Sequence, residues 1–297
     1  MAEQYPLSAW LKLFLLALVW GSSFFLIKKG LVTFPPLEVA AIRLASAAGA
    51  LAPFALLRLK RVKRKQWPVI LSVGLTGSMV PAFLFALAQT NVDSGVTGAL
   101  NALTPLFTLV VGVVIFKQLV TGRTLLGLSI GLCGTLMLIL MSAKGEFSLN
   151  GHALFVVIAT CCYGINTNLI KQYLPDQSPL TITGVSLLMV LPIAVLYLLG
   201  PSEAASRMTS VTAWWSLAAI IVLGVLGTAM ALILFNHLVQ IGSTVFASSV
   251  TYLIPLVAMF LGLLDGEQIG VWQITGMSLI LAGVWLANRK ARTPPPQ

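Results

Sequence analysis

Charge is scarce in this chain. Its 297 residues include 18 Lys and Arg, 8 Asp and Glu and 2 His, so charged residues make up only 9% of it. A soluble domain carries roughly 25% charged and about 45–50% apolar residues. Here 58% of residues are apolar and the mean hydropathy is +0.97. So little charge cannot keep that much apolar surface in water, which excludes a soluble enzyme, a disordered tail protein and a disulfide-rich secreted module. Cysteine is scarce as well. Cys133, Cys161 and Cys162 lie inside apolar runs, two of them adjacent, without the spacing of a metal site or a structural disulfide. There is no Walker motif, dinucleotide fingerprint or His-rich metal set, so no cofactor is expected and an ATP-driven pump is disfavoured.

What fills the chain instead is apolar runs of bilayer length, about 20 residues each. They lie near 9–28, 37–57, 68–89, 95–117, 124–141, 151–170, 180–199, 214–238, 243–263 and 271–288. The fold class expected is an all-α membrane protein with ten transmembrane helices. The first run has Lys12 ahead of an apolar core, as a signal peptide would. Trp20, Phe24 and Phe25 stand where a small-residue cleavage site would be needed, so it reads as a retained span.

The net charge of +10 raises nucleic acid as a partner, but its placement points elsewhere. Basic residues bunch at the ends of apolar runs, above all in the block from Arg58 to Lys65, the pattern of cytoplasmic loops beside anionic headgroups. With the N-terminus inside, thirteen basic residues fall on inner segments and Lys28, Lys29, Lys144 and Arg207 on outer ones, with Arg43 left inside a span. Outer loops carry Asp93, Glu146, Glu203, Asp265 and Glu267. Both termini are therefore expected to be cytoplasmic. The partners expected are a small-molecule substrate and membrane lipids, with no nucleic acid. The Arg/Thr/Pro-rich tail is expected to be disordered and dispensable.

The sequence also repeats itself. A shift of 143 lays Trp20-Gly21 on Tyr163-Gly164, Leu26-Ile27-Lys28 on Leu169-Ile170-Lys171, and Pro36-Leu37 on Pro179-Leu180. A shift of 149–150 lays Leu103, Pro105 and Leu106 on Leu253, Pro255 and Leu256, and Gly127 and Gly134 on Gly276 and Gly283. Two five-helix units are expected, 1–144 and 145–290, with 291–297 as the tail. Five is odd, so the second unit must enter the membrane from the opposite side. Inverted repeats of this kind build many secondary transporters, with the substrate near the midplane between the halves.

Few polar residues can do chemistry in such spans. Glu38 and Arg43, five residues apart, project about 140° apart around a helix. Glu38 is close enough to the outer interface to be hydrated. Arg43 lies deeper, suited either to an anionic substrate group or to snorkelling and carbonyl contacts. In span four Thr97, Asn101, Thr104 and Thr108 share one face beside Pro105; in span nine Thr244, Ser248, Thr251 and Pro255 repeat the spacing. Two such stripes suit the walls of a cavity, or alternatively hydrogen bonds between helices.

Trp20 with Ser22 and Ser23, and Tyr163 with Asn166 and Asn168, take matching places in spans one and six, and Phe83 and Phe85 follow Pro81. Aromatic rings with a few polar groups suit an amphipathic solute, although aromatics also anchor helices at interfaces. Asn236 and His237 lie near the inner end of span eight, where His237 reads as an interfacial histidine. Gly127-xxx-Gly131 and Gly224-xxx-Thr228 let helices approach closely. The hydrolase-like stretch from Gly127 to Gly131 lacks a strand–turn–helix setting and an acid–His pair, so it is a chance match.

On these residues the chain resembles the EamA family of the drug/metabolite transporter superfamily. The first half shows Trp20-Gly21-Ser22-Ser23, Pro36, Arg43 and Pro105, then Gly127 and Gly134. The second shows Asn236, Tyr252-Leu253-Ile254-Pro255, Gly266-Glu267, Gly276 and Gly283. The family's acidic residue after the proline helix is present as Glu267 but replaced by Gln118 in the first half. The resemblance implies an exporter of amino acids and related metabolites, aromatic or other amphipathic ones among them. A cavity lined by spans one, three, four, six, eight and nine is expected. Asn101, Thr104, Ser248, Thr251 and Tyr252 would meet the substrate's polar end and Trp20, Phe83 and Tyr163 its apolar part, with Ser23 and Asn166 as further substrate-binding residues. Drug or nucleotide-metabolite carriage on the same fold is the alternative. An intramembrane lipid-modifying enzyme would need clustered His, Asp or Glu near one interface, and the sequence offers none.

Overall fold

The computed structural model describes residues 7–115, 117, 122–141, 150–241 and 250–288. Among these the chain is helical, with no β-strand. The long segments are α1 (Leu7–Leu31), α2 (Pro36–Leu56), α3 (Trp67–Gly74), α4 (Val80–Ala88), α5 (Ser94–Asn101), α6 (Thr104–Val114) and α7 (Gly122–Leu140). They continue as α8 (Ala153–Tyr173), α9 (Pro179–Leu199), α10 (Val211–Gly224), α11 (Ala231–Ile241), α12 (Val250–Leu264) and α13 (Val271–Asn288). Among the described residues, seven helical stretches are long and apolar enough to cross a membrane. The expected spans near 124–141, 243–263 and 271–288 correspond to shorter apolar helices. Large apolar side chains such as Leu199, Trp215 and Val271 face outward, as a lipid-facing surface requires.

Proline sets several helix starts. Pro36 and Pro179 occupy the first turns of α2 and α9, where the missing N–H has no partner to lose. Spans three and eight are each interrupted by a π-helical turn, at Leu75–Met79 and Val225–Met230. A π turn widens the helix and frees carbonyls from the regular ladder. Trp20 uses one of them, donating from Nε1 to the Gly227 carbonyl at 3.1 Å.

The two halves meet through contacts that recur at matched positions. Gly74 lies against the Ser186 carbonyl, and Gly224 against that of Arg43. Gly77 abuts the Asn166 side chain, and Gly227 abuts Ser23. Gly21 packs on Val257, and Gly164 on the Phe107–Thr108 backbone. Gly134 meets Gly276 while Gly283 meets Gly127 and Gly131, so α7 and α13 pack antiparallel and nearly backbone to backbone.

Glu38 differs from its expected hydrated position. It is 2% exposed, accepting from Ser202 Oγ at 3.0 Å and the Glu203 N–H at 2.8 Å, with Arg207 Nε at 3.3 Å. The segment between α9 and α10 folds over it, so it fastens that segment to the start of α2. Gln118, Ser248 and the tail lie outside the described residues, as does the Tyr252 side chain.

Candidate functional site

A cavity of about 420 Å³ lies among the helices of both halves, within the roughly 300–1,000 Å³ of small-molecule sites. Of the expected residues, Trp20, Ser23, Asn101, Thr104, Tyr163, Asn166 and Thr251 line it together. Phe83 does not; Phe85, two residues on, takes its place. The lining also draws on spans two and seven, through Arg43, Thr183 and Ser186, which widens the six-span wall expected from sequence.

The aromatic walls are paired between halves. Trp20 stacks obliquely on Phe235, with ring centroids 5.3 Å apart, and Tyr163 stacks on Phe85 at 6.0 Å. Shifts of 143 and 150 carry one pair onto the other. The polar walls are partly self-satisfied. The Thr104 hydroxyl donates to the Asn101 carbonyl at the end of α5 and that of Thr108 to the Thr104 carbonyl on its own helix, and Asn168 Nδ2 donates to the Thr108 carbonyl at 2.8 Å. Asn236 Nδ2 donates to Thr183 Oγ1 at 3.2 Å. The side-chain oxygens of Asn101 and Asn166 are buried with no hydrogen-bond partner among the described residues.

Arg43 breaks the pairing, because its counterpart under the shift of 143 is Ser186. Its Nε donates to Thr228 Oγ1 at 2.8 Å, and no carboxylate pairs with it among the described residues. Lys171 is the other cation of the lining; no Asp or Glu is among the lining residues.

The two ends of the bundle differ. The cavity reaches the end where the last turn of α8 carries the exposed Lys171. There, at the start of α1 and near the end of α11, Lys12 Nζ lies 3.4 Å from His237 Nε2. His237 is not among the lining residues. At the other end the lining reaches Ile27 but includes neither Lys28 nor Lys29. Gly98 on α5 packs against Ala258 on α12 and the Phe24 ring. Above that contact, Glu267 accepts from the Ser94 and Gly95 N–H groups at the α5 N-terminus, at 2.9 and 3.1 Å. Lys28 donates to Glu267 at 2.9 Å and lies 3.3 Å from Asp265, which also pairs with Lys29. Burial pulls the Glu267 carboxyl upward, but Lys28 and the two N–H groups outweigh it and hold the group below its ordinary value. The hydrogen bond from Lys29 depresses Asp265, whereas burial and the Glu267 charge raise Asp93. Glu267 thus lies outside the cavity, tying α1, α5 and the α12–α13 connection together.

The family model described as the EamA-like transporter family matches twice, over residues 7–140 and 151–289. An uncharacterised inner membrane transporter of Escherichia coli K12, YedA, is 27% identical over 292 residues, covering 93% of this chain and 89% of that protein. A Salmonella typhimurium protein named a probable amino-acid metabolite efflux pump is 26% identical over 282 residues, covering 92% of each chain. A solved crystal structure shares the fold, with a TM-score of 0.63 and 17% identity over 96% of this chain and 97% of its own. Two matches to one family model, spanning nearly the whole chain, make it a member of the EamA-like transporter family.

Proposed function

We propose that this protein is a secondary exporter of amino acids and related small metabolites in a bacterial-type inner membrane. It works by alternating access through the cavity between two inverted five-helix repeats, 1–144 and 145–290, with both termini cytoplasmic. The cavity carries this reading: each half contributes one ring to each of two aromatic pairs, and polar groups, to one solute-sized space that reaches Lys171 at one end of the bundle and is flanked at the other by the Gly98–Ala258 contact. The matched glycine contacts and the antiparallel packing of α7 and α13 support a two-fold relation between oppositely directed repeats. The names of the related Escherichia coli and Salmonella proteins support the location and the substrate class.

In this arrangement Ser23, Asn101, Thr104, Asn166 and Thr251 address the substrate's polar end, and Trp20, Phe85 and Tyr163 its apolar part. Counterflow in proteoliposomes preloaded with aromatic and aliphatic amino acids tests the reading. Saturable exchange of one class is expected, and Asn101→Ala should cut it about tenfold or more without loss of folded protein, the cost of one or more polar contacts. Absence of exchange across the panel by folded protein would remove the amino-acid substrate. Normal exchange by Asn101→Ala would remove the site assignment.

With no carboxylate among the lining residues, the cavity has no acid to exchange a proton for substrate. Transport is accordingly facilitated, down the substrate gradient. A pH-sensitive dye in sealed vesicles should record no proton movement when substrate is added; a substrate-driven proton flux would contradict this.

A further inference from the structure

We infer that Arg43 is the anchor for a substrate carboxylate and that the cavity therefore rejects amines that lack one. This rests on the amino-acid reading above and names what the site demands of its substrate. An enclosed guanidinium without a counter-ion is costly, and a charge is retained inside a membrane protein where a partner or a watery cavity receives it. Arg43 lines the cavity, and its one hydrogen bond among the described residues is from Nε to Thr228, while its counterpart in the other half is the neutral Ser186. The charge is thus not part of the shared helix-packing pattern, since the carbonyls of both residues make the same glycine contacts. The planar fork of Arg presents two parallel N–H donors, the geometry that pairs with a carboxylate.

The rest of the lining fits a zwitterion held at two points. Asn101 and Asn166 each carry a side-chain oxygen without a hydrogen bond among the described residues. Turning either amide to present that oxygen to the cavity forfeits no hydrogen bond made by it, and the oxygen then accepts from an ammonium group. Neutral amides recognise the ammonium by hydrogen bonding without supplying a negative charge. With Arg43 and Lys171 as the charges among the described lining residues, a bare amine meets uncompensated repulsion. An amino acid brings its own carboxylate to cancel it. The specificity is for the carboxylate first and the amine second, so an N-acylated amino acid should still bind.

The test is competition binding to purified full-length protein using matched compounds: L-phenylalanine, phenethylamine, N-acetyl-L-phenylalanine and L-phenylalanine methyl ester, with the leucine series in parallel. Acids should bind about ten- to a hundredfold more tightly than the amine and ester of the same side chain, the span of a charge-assisted hydrogen bond. Arg43→Gln should erase that ratio, and Arg43→Lys should keep part of it. The thermal midpoint of ligand-free Arg43→Gln should stay level or rise, because an unpaired charge is removed; a packing role for Arg43 would lower it. Equal binding of acid and amine by the parent protein, or an unchanged ratio in Arg43→Gln, would overturn the anchor while leaving an amino-acid carrier in place. Failure of every compound to bind folded protein would remove the amino-acid reading itself, and the anchor with it.

Discussion

Gly283→Ala, a single added methyl group, should sharply destabilise the folded protein. A Cβ at Gly283 would stand 2.5 Å from the Gly127 carbonyl oxygen and from the Gly131 amide nitrogen, and 2.8 Å from Gly131 Cα. All three are backbone atoms of α7, so no rotamer change relieves the clash; the helices must separate along their length. Inside a membrane, helix association relies on close packing of small residues rather than on escape from water, so the lost contact has no hydrophobic replacement. Overpacking costs about 1–3 kcal/mol where side chains can adjust, and this backbone clash belongs at or above the top of that range. The matched substitution, Gly134→Ala, meets the Gly276 carbonyl at 2.5 Å and should behave alike. Gly49→Ala is the control: nothing lies within 4 Å of its Cβ position, and it gains helix propensity. Fluorescence-detected size exclusion after a heating series reads all three. A midpoint for Gly283→Ala equal to that of Gly49→Ala would mean that α7 and α13 do not pack this way. Neither helix lines the cavity, so the loss would fall on assembly of the two halves and not on substrate contact.

Much of this architecture is legible in the sequence because it depends on local or periodic features. Apolar runs of span length give helices, and Pro36 and Pro179 mark equivalent helix starts. Gly127-xxx-Gly131 foretells a close helix contact, although not that Gly283 of the other half is what meets it. What escapes is rotation and distance. Phe83 and Phe85 are equally plausible wall residues in a list of letters, and the π turn just before them at Leu75–Met79 resets which one faces inward. Leu-Thr-Gly-Ser-Met carries no sign that it will widen. The same holds for Ser186 and Thr183, which look like ordinary packing residues of span seven until Gly74 brings spans three and seven together. Glu38 reads as a hydrated interfacial acid because the residues that bury it, Ser202, Glu203 and Arg207, are more than 160 positions away. Glu267 is similar: its sequence neighbours are a loop, and its function in the fold depends on Lys28 and on the first N–H groups of α5.

Glu267 should therefore control how firmly the Lys28 end of the bundle stays shut. Glu267→Ala leaves Lys28 with Asp265 alone and leaves the Ser94 and Gly95 N–H groups without an acceptor at a helix N-terminus. Removing one member of a fully buried pair costs about 3–5 kcal/mol, but Lys28 is about one-third exposed, so solvent screening reduces this to roughly 1–3 kcal/mol. At about 1.4 kcal/mol per tenfold change, that shifts the ratio of closed to open at this end by about one to two decades. Cysteines placed at Thr33 and Val271, probed with a membrane-impermeant thiol reagent after Cys133, Cys161 and Cys162 are replaced by serine, would not report such opening because both sites lie outside the closed contact. A cysteine at Gly98, beneath Ala258, would destroy the closure itself. Spin labels at Val32 and Val271, both exposed, avoid both problems by reading the distance distribution between α1 and α13 while leaving the contact intact. The distribution should broaden towards longer distances in Glu267→Ala and partly recover in Glu267→Gln, whose amide oxygen can still accept from one N–H. The pH dependence has a definite sign. Glu267 has a folded pKa below its unfolded value, so its contribution is present above the unfolded value and is lost as the pH falls through the folded one. The parent should thus loosen only under acid, below the ordinary carboxylate range. Asp265 is held low by Lys29 and titrates in the same direction, whereas Asp93, raised by burial and by Glu267, gains a proton earlier and relieves repulsion. Glu267→Gln removes the carboxylate that faces Lys28, so its acid-induced loosening should shrink to the part due to Asp265. An identical acid response in parent and Glu267→Gln, or an unchanged distance distribution in Glu267→Ala, would show that the Gly98–Ala258 contact alone shuts this end and that the charges above it only decorate the surface.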